Sequence, residues 1–477
     1  MAKLGLLALA CAGLWTVSAA DLDPATKALS RDIFRELIEI NTTDSVGSTT
    51  VAANAMAKRL VDAGFPAADV VVAGPNERKG NLVVRLRGSG AGKPILILGH
   101  LDVVEARRED WTTDPFKFVE KDGYFYGRGT QDIKCEDAVL VTDFIRFRKE
   151  GFRPTRDLIL ALTADEEGGK SNGVDWLLKN RRELIAAEFV LNADAGGVTT
   201  RDGKPVNIDV EAAEKIYADY QLTATNPGGH SSLPRPDNAI YHVVDAIARL
   251  ERHAFPMELN PVTRTYFERR APLEEPRIAA DMNGILHNPP DDGAVARLSK
   301  DPRYNSMLRT TCVATRLAAG HANNALPQTA QANVNCRILP GHSMEEVRQE
   351  LIRIFADPEV TVRYVDDANN VSGKAPDNRG FPPLLPPAHV LDPLTKVAAE
   401  IWPGAPVIPE MDTGASDSIY TRAENIPSYG VSGIAIDQDD VRAHGKDERV
   451  RVSSFYDGVE FHYRFLKALT ASNPVVR

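Results

Sequence analysis

A chain of 477 residues with 43% hydrophobic content is long enough for two domains and a large buried core. Its 56 basic and 66 acidic residues leave a net charge of −10, and no basic cluster interleaves with aromatics, which argues against nucleic acid as a partner.

In chain order, residues 1–20 carry a lone Lys3, an apolar run from Leu4 to Val17 and the small residues Ser18-Ala19-Ala20 before Asp21. That is the layout of a secretory signal peptide, so the expectation is export to the periplasm or the medium after cleavage. The run is too short for a stable membrane span, and a lipid anchor at Cys11 fits poorly because the apolar stretch continues past it. Apolar residues at helical spacing follow over 25–40 and 51–63, then strand-like runs over 81–86 and 95–98. Strands over 158–163 and 189–192 alternate with helices over 139–149 and 173–184. Such alternation predicts an α/β fold with a mostly parallel sheet and helices on both faces. From Glu214 the pattern changes to a strand over 217–224, a helix over 239–252, a long polar stretch with prolines, strand-like runs over 307–317 and 331–339, a helix over 344–355 and a strand over 360–364. This reads as an inserted α+β layer of the split βαβ type. Residues 366–387, rich in Pro, Gly, Asn and Asp, mark the return. A helix over 391–402, loops at Gly414 and His444 and a terminal helix over 453–469 complete the chain.

Five segments each end on a metal-type ligand where a strand gives way to a loop: Ile-Leu-Gly-His100-Leu-Asp102, Gly-Arg-Gly-Thr-Gln-Asp132, Thr-Ala-Asp-Glu166-Glu167, Leu-Asn-Ala-Asp194 and Ala-His444-Gly-Lys-Asp-Glu448. In an open α/β sheet, ligands bind outside the carboxyl ends of the strands, so these groups converge on one rim. Two divalent ions about 3.5–4 Å apart need a bridging carboxylate, terminal ligands and a base for the shared water. His100, Asp132, Glu167, Asp194 and His444 supply five N/O ligands suited to zinc, which leaves Glu166 free. Adjacent residues on an extended chain point to opposite sides, so Glu166 and Glu167 take different tasks. Asp102 is placed to orient the His100 imidazole.

At these residues the chain resembles the M20 family of dinuclear zinc peptidases and aminoacylases, over about residues 100–448 and in the family's order. The resemblance implies two Zn2+, with Co2+ or Mn2+ as substitutes. His100 and Asp194 would bind one ion, Glu167 and His444 the other, with Asp132 as the bridge and Glu166 as the general base. Further signatures are Gly-Gly-His230-Ser-Ser-Leu-Pro, Asn323-Asn324-Ala-Leu-Pro, Arg337 in Asn-Cys-Arg-Ile-Leu-Pro-Gly, and Gly414-Ala-Ser-Asp417. They imply substrate-binding roles for His230, Asn324, Arg337 and Gly414, with Arg337 holding a carboxylate and the inserted layer serving as a lid and homodimer surface. The divisions are then a leader over 1–20, a catalytic domain over 21–212 and 371–477, and a lid over 213–370. The stretch over 111–116 with Asp122-Gly-Tyr-Phe-Tyr-Gly-Arg-Gly looks most like the Gly-X carboxypeptidase branch, whereas an Asp at position 194 is associated within the family with aminopeptidases and dipeptidases. Cys135 and Asn335 depart from the common pattern without removing a ligand. The resemblance places the runs holding Cys312 and Cys336 side by side; a disulfide is open there, with two buried thiols as the expectation.

Two other motifs fail on spacing. Gly88-Ser-Gly-Ala-Gly-Lys93 lacks the first glycine of a phosphate loop, and Gly430-Val-Ser432-Gly brings its second glycine one residue early for a nucleophile elbow. His242 and His342 read as packed or solvated side chains. The expected activity is hydrolysis of an amide bond in a dipeptide, a peptide C-terminus or an N-acyl amino acid with a free carboxylate. The alternatives are an aminopeptidase of the same metal chemistry and a non-catalytic binding protein on the same scaffold.

Overall fold

The computed structural model describes residues 22–366 and 368–471, so the expected leader lies outside the described residues. An unbroken apolar run such as Ile95-Leu-Ile-Leu98 suits a strand covered on both faces. All six residues of the strand Ile95–His100 are buried. Ile95 and Ile97 face one core, and Leu96 and Leu98 face another on the opposite side. The strand runs parallel to Leu158–Thr163 on one side and Phe189–Asn192 on the other. Around this parallel centre a ten-stranded sheet forms. Val70–Ala73 and Asn81–Leu86 are antiparallel at one edge, and Ser428–Gly430, Val407–Asp412 and Ala435–Asp437 join in parallel from the far end of the chain. The helices Pro24–Glu39, Lys134–Glu150, Ala388–Ile401 and Val452–Leu469 cover one face through residues such as Phe34, Phe144, Val397 and Phe461. Gly173–Asn180 covers the other with Val174 and Leu177.

A second, five-stranded antiparallel sheet runs in the order Thr311–Ala319, Thr329–Ile338, Ile216–Thr225, Thr361–Val365, Val371–Ser372. In Ile216–Thr225 the burial alternates, with Ala218, Tyr220 and Leu222 turned inward. The helices Ala239–Arg252 and Met344–Phe355 pack on that side through Val243, Val347 and Leu351. Tyr217, Asp219 and Gln221 are left on the open face, which Arg337, paired with Tyr217, shares.

Three sequence expectations are corrected. The polar stretch before residue 307 is four helices, Pro261–Arg270, Pro276–Ile285, Asp292–Leu298 and Pro302–Leu308. Pro261, Pro276 and Pro302 start helices rather than break them, because the first helical position has no use for an N–H. Phe267, Met282 and Leu298 carry this bundle onto Ile408 at the edge of the large sheet. The single helix over 173–184 is two, Gly173–Asn180 and Arg182–Ile185. Cys312 and Cys336 form a disulfide rather than two thiols, since the register sets them directly opposite on neighbouring strands. Cys135 is buried and free.

Candidate metal centre

His100 closes its strand, Asp132 precedes the helix Lys134–Glu150, and Glu166 and Glu167 follow Leu158–Thr163. Asp194 follows Phe189–Asn192, and His444 lies in the loop before Arg449–Arg451. All six meet at the carboxyl-end rim. His100 Nε2 is 3.0 Å from Asp132 Oδ1 and 3.5 Å from Asp194 Oδ1. His444 Nε2 is 3.0 Å from Asp132 Oδ2 and 2.8 Å from Glu167 Oε2. Asp132 therefore turns one oxygen toward each imidazole, as a bridging carboxylate must. Two trios have donor atoms within 4.8 Å of one another and could hold a cation: His100, Glu166 and Asp194, and His100, Asp132 and Glu167. The two neighbouring glutamates do turn to different partners, and Glu166 stands inside the first trio rather than apart from it.

The electrostatics state what this crowd lacks. Burial and then the Asp194 charge push Glu166 up to about 10. Burial pushes Asp194 up to about 7 although His100 opposes it. Asp132 moves the other way: against its burial, the His100 and His444 imidazoles hold it below the usual carboxylate range. Hydrogen bonds to Asp132 and Glu167 raise His444 to about 10. Glu166 and Asp194 thus tend to retain protons where doubly charged cations would offset the same repulsion, and the set of four carboxylates and two imidazoles fits such ions.

Around the cluster, the structure gives Asp102 two tasks. Its backbone oxygen is 3.0 Å from His100 Nδ1, closer than its carboxylate at 3.7 Å. The carboxylate instead accepts hydrogen bonds from the amides of Glu166 (3.2 Å) and Glu167 (3.0 Å). Asp102 therefore orients the imidazole through its carbonyl and holds both glutamates in place. Two further acids were given no task by the sequence. Asp165, at φ 57°, pairs with Lys79 and anchors the glutamate loop. Asp417 is buried and accepts from Thr163 Oγ1 at 2.9 Å and Asn172 Nδ2 at 2.6 Å. The Gly414-Ala-Ser-Asp417 motif pointed to Asp417; nothing in the sequence pointed to Asp165.

The remaining candidates lie elsewhere. His230 and Asn324 come together where Gly229–His230 pairs with Ala325–Leu326. Both are exposed, and among the described residues neither is hydrogen-bonded to the cluster. His230 Nδ1 accepts from the Ser232 amide at 3.1 Å, which leaves the ring proton on Nε2. Arg337 stacks 4.8 Å from the Tyr217 ring centroid and, among the described residues, has no carboxylate in ion-pair contact. The Gly414 amide donates to Asp412 Oδ1 at 2.7 Å.

A parallel sheet whose loops gather imidazoles and carboxylates in this way defines a metal-dependent hydrolase. The chain belongs to the peptidase family M20/M25/M40, whose model matches residues 96–468. It is similar to the N-fatty-acyl-amino acid synthase/hydrolase PM20D1 of Xenopus tropicalis, with 28% identity over 389 residues, 80% of this chain and 73% of that one. Its fold matches the M20 family metallo-carboxypeptidase Sso-CP2 from Sulfolobus solfataricus at a TM-score of 0.67 and 15% identity, covering 94% of this chain and all of that one. A dinuclear metal-binding peptidase of the M20 family from Bacillus subtilis matches at 0.58 and 11%, covering 94% and 100%.

Proposed function

We propose that the protein is a dinuclear zinc hydrolase that cleaves the amide bond of a small substrate with a free carboxylate, a dipeptide, a peptide C-terminus or an N-acyl amino acid. The observation that carries this is the cluster itself, in which Asp132 lies between the two imidazoles, 3.0 Å from each. When bound, the cations polarise the scissile carbonyl and lower the pKa of the attacking water toward about 7. The Glu166 carboxylate, ionised once the cations offset its acidic neighbours, takes the water's proton and passes it to the leaving nitrogen. His230 offers its Nε2 proton to the oxyanion, and Arg337, with no ion-paired carboxylate among the described residues, holds the substrate's carboxylate in a two-pronged grip. In its bound position Gly414 would line the substrate's backbone, and Asn324 would contact it from the lid.

His230 stands exposed, and so do Val313 and Leu317 on the edge strand Thr311–Ala319, at 60% and 59%. This supports a homodimer in which each lid serves its partner's site. The Cys312–Cys336 disulfide supports an oxidising, exported location.

The test is a panel of N-acyl amino acids and dipeptides, blocked or unblocked at the amino end, assayed with zinc-loaded protein. Hydrolysis of the N-blocked members with a free carboxylate is expected. Turnover confined to substrates with a free α-amine would make the protein an aminopeptidase instead.

A further inference from the structure

Two residues outside the ligand set tie together loops that stand more than three hundred positions apart. Glu448 is fully buried. Its Oε1 accepts from the amides of Gln131 (2.6 Å) and Asp132 (3.1 Å), and its Oε2 accepts from the Gly129 amide (3.1 Å) and the Arg128 guanidinium (2.6 Å). Gln131 returns the grip. Its Nε2 donates to the carbonyls of Asp440 (3.0 Å) and Arg449 (2.8 Å), and its Oε1 accepts from the amides of Arg442 (2.7 Å) and Ala443 (3.0 Å). Every one of these groups is backbone on the opposite loop, apart from the Arg128 side chain.

The arrangement matters because the two imidazoles are held so differently. His100 ends a central strand and is 1% exposed, whereas the His444 side chain is 54% exposed in a loop at φ 60°. Among the described residues no sheet ladder fixes His444; the Gln131 oxygen grips the two amides just before it.

We propose that Gln131 and Glu448 form a reciprocal clasp of positioning residues, in which Gln131 sets the affinity of the cation position served by Glu167 and His444 and leaves that of His100 and Asp194 untouched. This rests on the two-cation reading above. Glu448 acts through the Asp132 amide and so bears on the carboxylate that the two positions share.

The test is calorimetric titration of metal-free protein with Zn2+, which counts sites without any assay of turnover. Wild type should take up two ions. Gln131→Ala should keep one at wild-type affinity and hold the other about 10–100-fold more weakly, the usual effect of losing a group that orients a ligand. Gln131→Asn, which keeps the amide but withdraws it by one methylene, serves as the second variant with the same expectation. Two unchanged sites in both variants, or two sites weakened alike, overturn the clasp. A wild-type protein that binds fewer than two ions overturns the two-cation reading itself.

Discussion

Glu166 and Arg337 carry the sharpest consequences at the scale of single residues. Glu166→Gln fills the same volume but cannot accept the water's proton. Turnover should fall by about 10²–10⁴-fold while both ions stay bound, measured as kcat alongside metal per chain; near wild-type kcat would remove Glu166 from the mechanism. Arg337→Lys exchanges a planar fork for a point charge. It should reduce kcat/KM for a free-acid substrate by about tenfold to a hundredfold, roughly 1.5–3 kcal/mol, and hardly touch the amidated analogue. Equal losses on both substrates would mean that Arg337 only braces the lid.

Lys215 makes a different kind of statement. Its buried Nζ donates to the carbonyls of Ser306 and Arg309 and to Thr311 Oγ1. Burial, and then the Arg337 charge, lowers it from 10.5 to about 7. Between those values the unfolded chain holds a proton that the folded chain has released, so stability rises with pH across that window and is flat below it. Lys215→Met should flatten the rise in denaturation experiments run from pH 7 to 10; an unchanged slope would show that Lys215 stays charged when folded.

At the scale of elements, the disulfide staples the edge strand Thr311–Ala319 to Thr329–Ile338. It closes a loop of sequence separation 24, which the chain-entropy account values at about 3 kcal/mol. Cys312→Ser should lower stability by that order in chemical denaturation, and an unchanged midpoint would show that the bridge is not formed. The sequence could not decide this pairing, because register is a long-range property that cysteine spacing does not carry. Strands with unbroken apolar runs, such as Ile95–His100, and helices with strong periodicity, such as Ala239–Arg252, were legible. The four-helix bundle was not, because its prolines carry opposite meanings at the start and in the middle of a helix. The hairpin joining Gly197–Arg201 to Lys204–Glu214 was missed although Asp202-Gly203 is a strong turn signal.

For the whole molecule, the candidate ligands His100, Glu167 and Asp194 were readable because each stands at or just beyond the end of a parallel strand, whereas Asp132 precedes a helix and His444 lies in a loop. The groups that hold them, Asp165, Gln131 and Glu448, stand within the same short segments, but their partners lie far along the chain, so their tasks left no local mark. If two cations bridge these loops, they also stabilise the fold, by about 2.7 kcal/mol for each site at a hundredfold excess over Kd. Thermal unfolding with and without chelator should show a lower transition temperature for the stripped protein, and identical curves would count against bound ions.

The placement of His444 so late in the chain has a further meaning for how the protein comes into being. During synthesis Asp132, Glu167 and Asp194 emerge first, the five-stranded sheet next, and His444 only near the end. A partly made chain therefore holds an incomplete cluster until His444 joins it, by which point the five-stranded sheet has already been made. On the two-cation reading, the position served by His444 is thus the last part of the cluster to be synthesised.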